Sequence, residues 1–162
     1  MAVARTEKIA VGGLIQTRGL VVIRVLGAAR GPVVAGKTLS TLGRHRINIV
    51  CVVSFVDANG RENIAFAISK DDLDQALGLL QTLKEEIQAE AIEYQSNCCA
   101  VAIYGPHFSE RPAIAGNMFA ATAEAGIDIH LISTSISTVS CVIDETDLQK
   151  AVTKLQETFL VP

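Results

Sequence analysis

The sequence predicts an α+β protein: two copies of a strand, helix, strand, strand, helix, strand unit, each an antiparallel sheet with its helices on one face. Three observations carry this. Residues 31–54 (GPVVAGKTLSTLGRHRINIVCVVS) align without a gap on 111–134 (RPAIAGNMFAATAEAGIDIHLIST) at a fixed offset of 80, with Pro32/Pro112, Ala35/Ala115, Gly36/Gly116, Ile47/Ile127 and Ile49/Ile129 identical. Short β-branched runs alternate with stretches of 3.6-residue apolar period. The second copy runs out of chain before its last strand, while the N-terminus holds one strand-like segment too many, 8–15, which is expected to cross over and complete the second unit.

The elements follow in order. Residues 19–26 (GLVVIRVL), rich in β-branched residues and ended by Gly27, read as a buried strand. Pro32 suits a helix start, Val34, Ala35, Leu39 and Leu42 give one apolar face, and Arg44 and His45 suit the negative end of the dipole. A second strand, 47–56, is joined to a third, 62–68, by the turn Asp57-Ala58-Asn59-Gly60. Ser69 caps a helix with Asp71 and Asp72 in its first turn and a stripe of Leu73, Ala76, Leu77, Leu80 and Leu83; residues 89–94 are the closing strand. The second copy reads 99–104 as strand, 112–125 as helix, 127–134 and 138–143 as strands, and 145–158 as helix. The units are therefore 16–96, and 97–162 together with 8–15, with no Pro/Ser-rich linker between them.

Composition limits function. With 49% hydrophobic residues, 4% aromatics and no Trp, the core must be aliphatic. A net charge of -3 gives no electrostatic reason to approach nucleic acid or anionic membrane. Arg5, Glu7 and Lys8 interrupt the N-terminal segment, so neither a signal peptide nor a membrane span is expected, and the protein is placed in the cytoplasm. Cys51, Cys98, Cys99 and Cys141 lie in apolar runs without C-x-x-C spacing and read as buried reduced thiols.

Two chemical readings compete. Gly31 to Thr38 matches the phosphate-binding pattern G-x-x-x-x-G-K-[ST] letter for letter. Yet such a loop must stay a loop through Gly36, whereas the repeat starts a helix at Pro32 and puts Lys37 inside it. His107 and His130 have no third ligand at metal spacing, and the hydroxyls of Ser133, Thr134, Ser135 and Ser137 have no base beside them, so no metal, cofactor or catalytic group is expected.

The element order, with its Gly-bounded first loop, resembles the ACT domain, a ferredoxin-like ligand-sensing module. Residues 123–145 (AEAGIDIHLISTSISTVSCVIDE) resemble the second ACT repeat of the aspartokinases, with Ile132-Ser133-Thr134-Ser135 reproducing its Ile-Ser-Thr-Ser run. The resemblance spans about 8–159, including the crossed-over leading strand. It implies a regulatory module that dimerises through its ACT units and binds a free amino acid such as lysine or threonine, in association with a kinase domain or subunit. The chain has no room for the kinase domain that precedes these repeats in aspartokinases, so no enzymatic activity is expected of it alone. Arg30 stands where the family pattern has an acidic residue.

The resemblance places the effector between the loop and helix start of one unit and the second strand of the other unit in a partner subunit. For the first site this gives the N–H groups of Val33, Val34 and Ala35 for an α-carboxylate, which the physics of helix starts supports independently. Asp128 and Ile129 face them, Asp128 toward the ammonium; Ser54 lies near the effector side chain, and Arg30 pairs with an acidic effector or with Asp128. The second site is Phe108, Ser109, Pro112, Ala113, Ile114 and Ala115 against Asn48 and Ile49. The alternative functions are a P-loop nucleotide binder and a dimerisation adaptor that takes no ligand.

Overall fold

The computed structural model describes residues 7–106 and 108–162. The chain divides into two compact units, Arg18–Cys99 and Ala100–Pro162, the latter joined by the leading segment up to Thr17.

The first unit has the strand order β3-β4-β2-β5, formed by β2 (Gly13–Ala28), β3 (Ile49–Val56), β4 (Glu62–Ser69) and β5 (Ala91–Tyr104), with α1 (Val33–Arg44) and α2 (Leu73–Lys84). Antiparallel registers set Val21 against Ile68, Ile23 against Phe66 and Val25 against Ile64. Because alternate residues of a strand share a face, these six form one apolar surface, and all are essentially buried. Val34 and Leu42 of α1 and Ala76 and Leu80 of α2 join the same core cluster. Ser69 accepts the Asp71 N–H at 3.3 Å, starting a single 3-10 turn that leads into α2. The Asp57–Gly60 turn forms as expected, with Gly60 at φ 73° and its N–H bonded to the Asp57 carbonyl at 3.0 Å.

The second unit uses α3 (Ala113–Glu124), β6 (Ile129–Thr134), β7 (Thr138–Asp144) and α4 (Leu148–Thr158), with the strand order β5-β7-β6. Its helices bury Ile114, Met118 and Ala121 on α3 and Leu148, Ala151, Val152 and Leu155 on α4, each set at helical spacing. The leading segment bonds to this unit by two routes, although β1 lies in a two-stranded sheet with β8 and not in the main sheet. β1 (Ile9–Ala10) pairs in parallel with β8 (Phe159–Leu160), and the Val11 N–H donates to Leu160 at 3.1 Å. Gly12 then donates to the Tyr104 carbonyl at 2.6 Å. Gly12 and Gly13 lie under the Tyr104 ring: a Cβ on Gly13 would stand 2.6 Å from its hydroxyl oxygen.

Several expected boundaries are corrected. Residues 13–15 and 19–26 belong to one strand, β2, because Gly19 bends the chain at φ 68° without ending it. Residues 91–94 and 99–104 likewise fuse into β5, which passes through Asn97 at φ 57°. The second copy does have a closing strand, the two-residue β8. β3 and β6 each start two residues later than expected, so Asn48 and Asp128 precede their strands.

All four cysteines are buried thiols outside any disulfide. Among the described residues no helix is long and apolar enough to cross a membrane.

Candidate functional site

Each unit contains one helix start and one strand start of the kind the sequence singled out. Arg30, Val33, Val34, Ala35, Asn48, Ile49 and Ser54 lie in the first unit; Phe108, Ser109, Pro112, Ala113, Ile114, Ala115, Asp128 and Ile129 lie in the second.

At the first helix start, Gly31 leads into Pro32, whose φ of -70° is already helical, and α1 begins at Val33. No side chain caps this end and its first turn carries no acid. The first N–H groups of a helix have no partner within it, so Val33, Val34 and Ala35 present donors at the positive end of the dipole. Val33 is 52% exposed, whereas Val34 is buried at 4%, so Val34 can meet a ligand only through its backbone. Gly36 is open: a Cβ there would meet nothing within 4 Å. Arg30 is exposed beside this mouth, and Ser54 is exposed on β3.

At the second helix start, Pro112 is again the uncapped N-cap and Gly116 is again open. Here the Ile114 N–H donates to the Arg111 carbonyl at 3.2 Å, so fewer donors are available than on α1. Phe108 and Ser109 form a 3-10 turn in which Phe108 is buried at 6%, and Ile114 is buried at 1%. His107, named in this loop, lies outside the described residues.

At the strand starts, Asn48 and Asp128 are exposed and Ile49 and Ile129 half-buried. His130 Nε2 lies 2.8 Å from Asp144 Oδ1, a pairing not foreseen from sequence because fourteen residues of hairpin separate them.

The phosphate-loop match does not form a loop. Gly36, Lys37 and Thr38 all lie inside α1. Lys37 pairs with Glu86, and Thr38 is wholly buried with its hydroxyl unbonded, where it could not reach a metal-bound nucleotide. A nucleotide cradle needs these groups at the mouth of the helix, so the geometry rules it out.

The ACT domain family model matches residues 101–159. Aspartokinase 2 of Bacillus subtilis (strain 168) is 31% identical over 137 residues, 85% of this chain and 33% of that protein. The ligand-free regulatory subunit of aspartate kinase from Thermus thermophilus superposes with a TM-score of 0.84 at 26% identity, covering 93% of this chain and 99% of that one. Aspartate kinase from Synechocystis gives a TM-score of 0.88 at 28% identity, covering 96% of this chain and 28% of that one. The chain spans about a third of the length of the curated relatives it matches. With the same element order in both units and these likenesses along almost all of its length, the chain has the tandem ACT fold and is similar to the regulatory region of aspartokinases.

Proposed function

We propose that this chain senses a free amino acid and passes its binding on to an aspartokinase-type activity, as a regulatory rather than a catalytic module. The observation that carries the reading is the uncapped, acid-free start of α1, repeated at α3, in a protein similar to aspartate kinase regulatory subunits. A helix end of this kind suits an α-carboxylate. In this reading the effector's ammonium falls to Asp128 of a second copy, beside its Ile129, with Ser54 near the effector side chain and Arg30 setting the charge of the loop.

Gly36 and Gly116 support assembly with a second copy. Glycine in a helix costs about 1 kcal/mol relative to alanine, and among the described residues nothing stands within 4 Å of a Cβ built at either position, which leaves room for a neighbouring copy. Effector binding then acts by favouring one arrangement of the dimer, and a kinase domain or subunit senses only that difference in affinity.

A thermal-shift screen of the twenty proteinogenic amino acids and ATP tests the reading. A ligand at ~100 times its dissociation constant adds ~2.7 kcal/mol, about 5–10 °C for a protein of this size. At least one amino acid is expected to give that shift and ATP none. Amino acids that all leave the melting point unchanged would favour the ligand-free adaptor.

A further inference from the structure

Among the described residues, the first loop is held by side chains of its neighbouring hairpin. Three consecutive residues, Arg61 just before β4 and Glu62 and Asn63 at its start, reach back to the segment 27–31 that delivers Pro32 to α1. The Gly27 N–H donates to Asn63 Oδ1 at 3.0 Å in a buried bond. The Gly27 carbonyl accepts from Arg61 Nε at 2.9 Å and Nη2 at 2.5 Å, and the same Nη2 donates to the Gln88 carbonyl at 2.8 Å. At the far end of the segment, the Gly31 N–H donates to Glu62 Oε2 at 3.1 Å.

The clamp is itself fixed. Asn63 is 5% exposed, and its Nδ2 donates to Asp57 Oδ2 at 3.0 Å and to the Arg61 carbonyl at 3.2 Å. Asp57 Oδ1 accepts the N–H groups of Asn59 at 2.8 Å and Arg61 at 3.1 Å. Gly27 sits at φ 63°, a conformation that favours glycine. Both ends of the loop are thus tied to one hairpin, which is rigid in its turn.

The corresponding hairpin of the second unit spends its side chains on itself. Ser135 Oγ lies 2.7 Å from Thr138 Oγ1 and accepts the N–H groups of Ser137 and Thr138 at 3.3 and 3.1 Å. Gly105, at the end of β5, is met by a backbone carbonyl, that of Ser137, at 2.9 Å. The fork of a guanidinium and the reach of a carboxylate are present in only one of the two hairpins.

We propose that Arg61, Glu62 and Asn63 are positioning residues that pre-order the 27–31 loop and thereby set the affinity of the first effector site. The proposal rests on the effector reading above. A site competent in only a fraction of molecules binds more weakly by that fraction, so releasing either end of the loop weakens binding without touching the ligand.

The test compares wild type with Glu62→Ala, Arg61→Met and Glu62→Gln, whose amide oxygen still accepts the Gly31 N–H. Each of the twenty amino acids is titrated singly by calorimetry, while amide exchange at Gly31 and the melting temperature are followed in parallel. Glu62→Ala and Arg61→Met are expected to raise the dissociation constant about tenfold, and Glu62→Ala to speed Gly31 exchange; Glu62→Gln restores both. Lowered melting temperatures or faster exchange with an unchanged dissociation constant would mark a merely structural clamp and overturn the proposal. A wild type that binds none of the twenty overturns the effector reading itself, whatever the exchange rates show. Should Glu62→Ala melt below the assay temperature, Arg61→Met carries the same comparison.

Discussion

Replacing Phe159 by alanine is expected to destabilise the protein by about 4 kcal/mol, while the same change at its neighbour Leu160 costs less than ~0.5 kcal/mol. The two residues form all of β8 and face opposite sides. Phe159 is 1% exposed and among the largest wholly buried side chains; Leu160 is 59% exposed. Truncating a buried Phe loses the transfer energy of its ring and leaves a cavity, together about 3–5 kcal/mol. The backbone pairing of Phe159 with Ile9 survives in alanine, so the loss measures side-chain packing alone. In urea, with a slope of about 1–3 kcal/mol/M, the midpoint falls by roughly 1.3–4 M. Amide exchange at Val11, bonded to Leu160, and Gly12, bonded to Tyr104, reports whether the leading segment is released with it. A loss below ~1 kcal/mol, or equal losses at both positions, would show that β8 does not close the second unit in this way.

Lys37→Ala is expected to leave stability within about 0.5–1 kcal/mol of wild type, since its ion pair with Glu86 is exposed on both sides, and ATP should bind neither protein by calorimetry. Asp128→Ala is expected to weaken amino-acid binding by ~1.5–3 kcal/mol with an unchanged circular dichroism spectrum; equal affinity would remove Asp128 from the site. The Asn63 side chain, followed by the Arg61 N–H, holds the Asp57 carboxyl below its ordinary value. A depressed folded value means that its contribution is present above the unfolded value of about 3.9 and lost as pH falls through the folded one. Urea midpoints measured from pH 7 down to 3 should therefore flatten in Asp57→Asn relative to wild type below about pH 4.

Much of the fold was legible because apolar period and turn chemistry agree along most of the chain. Pro32 and Pro112 marked both helix starts, and Asp57 to Gly60 marked the hairpin. The strand breaks were misjudged where local residues contradict the ladder that tertiary pairing imposes. The leading segment was ended at Ile15, one strand begun at Gly19 and another ended at Tyr94, yet β2 and β5 run through these breaks. β8 was invisible because two residues carry no period. For the candidate site, the helix ends were readable and their fixing was not. What holds Gly27 is a set of side chains 34 and 36 residues away, bonded to its backbone, and backbone acceptors leave no trace in the identity of the residue that carries them. Glycine at 27 was the only available cue, and it read as the end of a strand.

The pairing of β1 with β8 also sets the order in which the chain can fold while it is being made. Lys8, whose ammonium donates to the Gln156 carbonyl at 3.0 Å, is separated from it by 148 residues. A ribosome adding about 5–20 residues per second needs roughly 7–30 s to span that interval. Arg18–Cys99 is one contiguous stretch that can complete itself during that time. Gly12 can meet Tyr104 once β5 is made, but Ile9 to Val11 wait with their strand edge unpaired and Val11 unburied until β8 follows α4, so a chain stalled after β7 carries a sticky strand with nowhere to dock.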